Sequence, residues 1–342
     1  MAKTKTIVGL FVLLGTVFLF FLASGYAQTL RDKLRERVRE RIEEKMQQKQ
    51  AGSENLGADD YHFTLQYGGL TRKYNVHLPQ GYNKNITAPV VIYLHGGGGS
   101  INGAYQDGMD KFSNKLSFIL VIPAGTGPIP DKLLTWNSGK WDTDECCGQA
   151  YKNNLDDVGF LSRMIDEVEQ KFNVDRNRIF VTGISNGAMM SYRLACELSD
   201  KIAAVAVVAP PAVPEGCMPS RPIAIMQIDG TADPAVPING GKGGGIIGKP
   251  LQVQAPQDVV NSWIQRNECA LTFTTIYQKG KATCIAYGPC KDGVEVEFCK
   301  VEDMGHTWPS GHQYMPVDKV GPVSYDISFE QMWEFFKKHP KL

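Results

Sequence analysis

Alternation of apolar and polar positions begins at Tyr61. Phe63-Thr64-Leu65-Gln66-Tyr67 and Arg72-Lys73-Tyr74-Asn75-Val76-His77-Leu78 alternate with period two on either side of Gly68-Gly69, which predicts an antiparallel opening pair of strands. The next apolar stretches are unbroken: Pro89 to Leu94, Ser117 to Ile122, Arg178 to Thr182, Ala203 to Val208 and Ile223 to Ile228. Short continuous runs suit strands buried on both faces. Between them the spacing is helical, most clearly at Val158, Leu161, Met164, Ile165, Val168 and Phe172. Ser328 to Lys338, with Phe329, Met332, Trp333 and Phe336, predicts a closing helix. Strands alternating with helices give an α/β fold, a mostly parallel central sheet with helices on both faces. There is no internal repeat.

Upstream of Tyr61 the pattern is different in kind. Lys3 and Lys5 precede an apolar run from Ile7 to about Ser24, and Gly25-Tyr26-Ala27 supplies small residues before Gln28. This is the layout of a secretory signal peptide over 1–27, cleaved after Ala27. The run is long enough to approach a bilayer's thickness, so the alternative is an uncleaved anchor, the one route by which the chain meets a membrane. Residues 29–50 lack Gly and Pro and carry Leu30, Leu34, Val38, Ile42 and Met46 on a thin stripe among charges. That stripe is too narrow to bury much, which favours a charged helical spacer over a partner-binding helix. Residues 51–60 read as a linker, leaving 61–342 as the main folded domain.

Lys+Arg 36 against Asp+Glu 36 gives no net charge, so the basic footprint of a nucleic-acid-binding protein is missing. All eight cysteines lie behind the leader, which predicts disulfides and a secreted, extracellular or periplasmic location. No C-x-x-C pair or neighbouring histidine has zinc-like spacing, so no metal is expected. A hairpin of Thr283 to Ala286 with Val294 to Lys300 would set Cys284 opposite Cys299, within disulfide reach. Gly240 to Gly248 reads as a mobile loop without a P-loop ending. Asn85-Ile86-Thr87 is a glycosylation sequon.

The chemistry centres on Gly183-Ile184-Ser185-Asn186-Gly187, a G-x-S-x-G turn between a predicted strand and a predicted helix. That is the nucleophile-elbow pattern, which presents the serine hydroxyl on a strained turn. Ser185 is the candidate nucleophile. It needs a base and an orienting acid, which follow the serine in α/β-hydrolase order as Asp or Glu and then His. His306 stands just beyond the strand Val294 to Val301 and is preferred as base over His312, read as a surface residue. The loop after Ile228 offers Asp229 and Asp233; Asp233, further into the loop, is the candidate acid and Asp229 the reserve. His95-Gly96-Gly97-Gly98-Gly99 would supply one oxyanion donor, at Gly97 or Gly98, with the N–H of Asn186 as the second. His95 itself reads as a structural residue of that loop. Trp308 and Trp136 are candidates to stack on a substrate ring, although packing is the commoner role of a tryptophan near a cleft.

The chain resembles the secreted esterases grouped as the polyhydroxybutyrate-depolymerase and feruloyl-esterase family, allied to carbohydrate esterase family 1. The matching segments are R-K-Y-N-V-H-L-P (72 to 79), L-H-G-G-G-G-S (94 to 100), W-N-S-G (136 to 139), C-C-G (146 to 148), D-D-V-G-F (156 to 160), G-I-S-N-G-A-M-M-S-Y (183 to 192), D-G-T-A-D (229 to 233) and G-H-T-W-P (305 to 309). The resemblance implies an α/β-hydrolase fold with Ser185, Asp233 and His306 as triad and no cofactor. It further implies feruloyl or acetyl esters of plant polysaccharide, or hydroxyalkanoate polyesters, as substrates. Two departures stand out: Asp229 where the family usually has histidine, and the insertion Lys140 to Glu145. A secreted serine peptidase would use the same triad, and a non-catalytic binding protein of this fold would lack one of its members.

Overall fold

In the computed structural model residues 60–141, 148–244 and 250–341 are described. The signal peptide over 1–27, the charged helix and nearly all of the linker over 28–60, Cys146, Cys147 and most of the insertion before them lie outside those residues.

Ten strands form one sheet. They are β1 (Asp60–Tyr67), β2 (Leu70–His77), β3 (Ala88–Leu94), β4 (Ile119–Pro123), β5 (Val174–Ile184), β6 (Ala204–Val208), β7 (Ala224–Gly230), β10 (Phe273–Lys279), β11 (Ala282–Tyr287) and β12 (Val296–Val301). A separate small pair joins β8 (Gly241–Gly243) to β9 (Leu251–Val253). Part of the glycine-rich stretch expected to be a loop is therefore strand. The order in the large sheet is β1-β2-β4-β3-β5-β6-β7-β12-β11-β10. From β4 to β12 the neighbours run parallel, and antiparallel pairs close both edges.

The helices are α1 (Asn102–Gln106), α2 (Met109–Leu116), α3 (Gly148–Lys152), α4 (Asp157–Lys171), α5 (Asn186–Glu197), α6 (Pro256–Arg266), α7 (Val317–Val320) and α8 (Phe329–Lys338). Period-two side-chain direction divides the core into two layers. Val90, Ile92, Val181, Val205 and Ile225 pack with α4, α5 and α6. Val91, Leu120, Phe180, Ala206 and Met226 pack with α1, α2 and α8 on the other face. The parallel strands are buried on both sides, as their unbroken apolar runs require. Two of the flanking helices have side-chain caps: Asp156 accepts from Gly159 N–H at 2.9 Å at the start of α4, and Ser328 with Gln331 forms a capping box on α8.

The strand order places a crevice. The chain leaves β3 toward α1 on one face and leaves the adjacent β5 into α5 on the other. Loops diverging from neighbouring parallel strands open a cleft at their carboxyl ends, where open α/β sheets bind ligands. Disulfides join Cys196 to Cys217, Cys269 to Cys290 and Cys284 to Cys299. The last sits in the β11–β12 register as the hairpin reading expected.

Candidate active site

Ser185 stands alone between the end of β5 and the start of α5, at φ 57° and ψ −119°. A serine at positive φ is strained by roughly 1–3 kcal/mol and persists only where its surroundings dictate it. Here its N–H donates to Val208 O at 2.9 Å, tying the turn to β6. The flanking glycines are steric requirements. A Cβ on Gly187 would lie 2.2 Å from Leu94 O and 2.5 Å from His95 O, and one on Gly183 would lie 2.7 Å from Leu94 O. Gly187→Ala should therefore push α5 away from β3, costing about 3 kcal/mol of stability and displacing the turn; thermal melting and ester hydrolysis should fall together, and a variant that melts normally would refute the packing argument.

The registers Ile184↔Val208, Val208↔Ile228 and Ile228↔Cys299 align the strand ends. Ser185, the loop after β7 and the loop after β12 thus leave the same edge of the sheet. The last two loops are stitched together: Thr231 N–H donates to Val301 O at 3.0 Å and Ala232 N–H to Met304 O at 2.9 Å. Across that seam His306 Nδ1 lies 2.7 Å from Asp233 Oδ2, with both residues buried. Asp233 Oδ1 accepts from the N–H groups of Ala235 and Val236 at 2.7 and 2.8 Å. A carboxylate can only accept, so Nδ1 carries the imidazole's proton and Nε2 is left as the basic nitrogen. His306 is fixed on its backbone side too, its N–H donating to Val320 O at 2.5 Å and its carbonyl accepting from the Tyr314 hydroxyl at 3.0 Å. Tyr314 carries no sequence motif, and only the fold reveals its role.

Of the two glycines expected to offer an oxyanion donor, Gly98 is excluded, because its N–H donates to Leu134 O at 2.8 Å. The Cβ position of Gly97 instead lies 3.5 Å from Asn186 Cβ, and that of Gly96 lies 3.7 Å from Ser185 Cβ. Asn186 is the first residue of α5, where a helix has no intrahelical acceptor for its N–H. The loop is held by His95. Its Nε2 accepts from Gly125 N–H at 3.1 Å and its Nδ1 lies 2.8 Å from Gly96 O, so Nδ1 bears the proton. Burial drives its pKa down to about 4, keeping it neutral and structural, as expected.

The two tryptophans do not face the cleft. Trp136 is 0% exposed, donates from Nε1 to His95 O at 3.0 Å and packs 4.9 Å from the His95 ring. Trp308 is 1% exposed and meets Tyr93 edge to face at 5.1 Å. The expectation that either stacks on substrate is corrected: Trp136 braces the glycine loop, and Trp308 fills the core under the histidine loop.

Side chains absent from the sequence argument hold this arrangement. The Asn186 amide bridges to Trp136, accepting from its N–H at 2.8 Å and donating to its carbonyl at 3.1 Å, and also donates to Ser138 Oγ at 3.2 Å. The Trp136–Gly139 segment is anchored in turn by Asp157, which accepts from Asn137 N–H and from Arg72, each at 2.7 Å. Arg72 and Asp157 are 4% and 0% exposed, and the guanidinium lies over the Phe160 ring. A buried ion pair of this kind is costly to break from one side. The signal was available: Arg72 occupies an inward position of an alternating strand.

Asp229, held in reserve as the acid, is 1% exposed at the end of β7. It accepts from Gln227 Nε2 at 2.7 Å, and Gln227 accepts from the Tyr192 hydroxyl at 2.7 Å. Burial, with the nearby charge of Asp233 added, raises its pKa to about 8. The carboxyl is therefore neutral at pH 7 and does not compete for His306. The unfolded chain releases this proton near the ordinary carboxylate value and the folded chain holds it until about pH 8. Stability thus declines as pH rises through that window, because the folded state binds more protons. Asp229→Asn removes the penalty. Its melting temperature should match wild type near pH 4 and exceed it increasingly toward pH 8, where the stability gap reaches on the order of 5 kcal/mol; a gap independent of pH would contradict this.

Comparison with known proteins places the chain. The family described as "Putative esterase" matches residues 67–271. Feruloyl esterase B of Piromyces equi is 31% identical over 248 residues, 70% of this chain and 43% of its own length. Thus the chain spans less than half of that relative. A probable feruloyl esterase C of Aspergillus flavus is 30% identical over 275 residues, 78% of this chain and 83% of its own. Among solved structures, an acetyl xylan esterase from Aspergillus awamori superposes with a TM-score of 0.53 at 13% identity, covering 81% of this chain and 99% of that one, a likeness of fold. With a family match over more than half its length and a 30% identical relative covered over 83% of that relative's length, this chain belongs to the putative esterase family and has the α/β-hydrolase fold.

Proposed function

We propose that the protein is a serine carboxylic ester hydrolase that works through an acyl-enzyme. The observation that carries the reading is the buried His306–Asp233 pair at 2.7 Å, on loops that leave the same sheet edge as the positive-φ Ser185. Ser185 Oγ attacks the ester carbonyl while His306 Nε2 takes its proton, and Asp233 holds the imidazole and offsets its charge. The N–H groups of Gly97 and Asn186 receive the developing oxyanion. The collapse of this intermediate breaks the ester C–O bond as His306 returns the proton to the leaving alcohol. Water, deprotonated by the same nitrogen, then releases the acid and restores Ser185. None of these steps calls on a cofactor.

The fungal relatives named as feruloyl esterases support aromatic-acid esters of plant polysaccharide as substrates, with acetyl esters next. Three disulfides support an exported protein acting in an oxidising compartment. A panel of methyl ferulate, acetylated xylan, p-nitrophenyl acetate, a hydroxybutyrate polymer and a peptide tests the reading. Turnover of feruloyl or acetyl esters with the peptide untouched is expected; cleavage of the peptide alone would overturn it.

A further inference from the structure

Trp136 and Trp308 are buried, so a ring on which substrate stacks has to come from elsewhere. Among the described residues the strongly exposed aromatics are Tyr61, Phe273, Tyr314 and Tyr325. Tyr61 lies on β1 and Phe273 on β10, the two outermost strands of the sheet. Of the four, Tyr314 is the one bonded to a triad residue. Its hydroxyl donates to His306 O at 3.0 Å while the residue stays 44% exposed. Burial at the hydroxyl end, with the charges of Asp233 and Asp107 added, pushes the phenol pKa up, so the donor keeps its proton. Those charges also mark that end of the ring as a neighbour of the triad acid.

The ring is held before any ligand arrives. Gln313 donates from Nε2 to Met315 O at 2.8 Å and to Gly321 O at 3.0 Å, and its Oε1 accepts from Val323 N–H at 3.1 Å. These bonds tie the loop on both sides of Tyr314 to the chain that follows α7. An aromatic face ordered in advance costs little conformational entropy to use.

The chemistry of the site says what meets this face. His306 gives its proton to the departing alcohol, so that alcohol stands against the histidine while the acyl group remains on Ser185. Whatever the alcohol is part of lies on the histidine side, where Tyr314 is fixed. A sugar ring presents a layer of C–H groups on one face, which suits the negative face of an aromatic ring. Methanol has no such face.

We propose that Tyr314 is the sugar platform on the leaving-group side, its ring stacking on the saccharide whose hydroxyl carries the ester. The proposal rests on the esterase reading and names the part of the substrate that this side of the site holds. One side chain then serves twice: the hydroxyl braces the base and the ring binds the sugar.

Two substitutions in the intact protein separate these roles, on two substrates with the same acyl group, methyl ferulate and a feruloylated xylo-oligosaccharide. Tyr314→Phe and Tyr314→Ala both lose the bond to His306 O, so kcat should fall alike in both and on both substrates. Only Tyr314→Ala loses the ring. Its KM for the oligosaccharide ester should exceed that of Tyr314→Phe about fivefold, with no such difference on methyl ferulate; comparing the two variants cancels any change in the balance of steps within KM. Equal KM values for the two variants on the oligosaccharide, or the same rise on methyl ferulate, would overturn the assignment. Calorimetric titration with the de-esterified oligosaccharide distinguishes failure of the platform from failure of the esterase reading. Binding that Tyr314→Ala weakens and Tyr314→Phe keeps supports the platform even if no ester is turned over. Binding shared equally by wild type and both variants, beside normal ester turnover, refutes the platform alone.

Discussion

Ser185→Ala should lower kcat for ester hydrolysis by at least about 10⁴-fold while leaving the fold intact. The hydroxyl is the only group deleted, and it makes no capping hydrogen bond to α5. The backbone bond from its N–H to Val208 O at 2.9 Å survives the change, and alanine meets the positive φ with strain similar to that of serine. Stability should therefore stay within about 0.5 kcal/mol of wild type, measured by denaturant unfolding, and the residual rate should reflect only the oxyanion donors. A variant that loses activity through unfolding, or one that keeps a tenth of it, would show that the turn is not where chemistry begins.

Asp233→Asn should cost about 10⁴-fold in kcat, again with a folded protein. The reason lies in how the carboxylate is used. One oxygen accepts from two backbone N–H groups, Ala235 and Val236, at 2.7 and 2.8 Å. An amide at this position must turn its oxygen toward those donors, which points its NH₂ at His306 Nδ1. That nitrogen then has to accept, so the proton moves to Nε2 and the base is lost in the nitrogen that should face the serine. Because the loop's own hydrogen bonds persist, melting should change little. Steady-state kinetics on p-nitrophenyl acetate reads the effect, and a loss below about tenfold would mean that the carboxylate does not set the tautomer.

What could be read from the sequence was whatever a short segment decides by itself. The parallel strands announced themselves as apolar runs because both of their faces are buried. The elbow was legible because Gly183 and Gly187 are fixed by local sterics, where a Cβ would strike β3. Cys284 and Cys299 followed from hairpin register alone. Choices that depend on a distant partner were not legible. Gly97 and Gly98 differ only in that the N–H of Gly98 is taken by Leu134, more than thirty residues on. For Trp136 the sequence left substrate stacking open beside packing, and only the distant His95 carbonyl, which accepts from its indole N–H, decides for packing. The edge strand β10 went unread because nearly all of its positions are exposed, which erases the alternation that marks a half-buried strand. Arg72 was legible only as a charge at an inward strand position; its pairing with Asp157, and that of Tyr314 with the His306 carbonyl, cross the fold and follow from no spacing rule.

The most direct measurement is covalent. A fluorophosphonate is attacked, with loss of fluoride from phosphorus, only by a serine whose proton is drawn off by a base and whose oxyanion is received, so incubation followed by proteolysis and mass spectrometry reports the whole arrangement at once. The account predicts one adduct per chain, on the peptide bearing Ser185, formed far more slowly in the Asp233→Asn variant. An active protein that is left unlabelled, or is labelled at another residue, would contradict it.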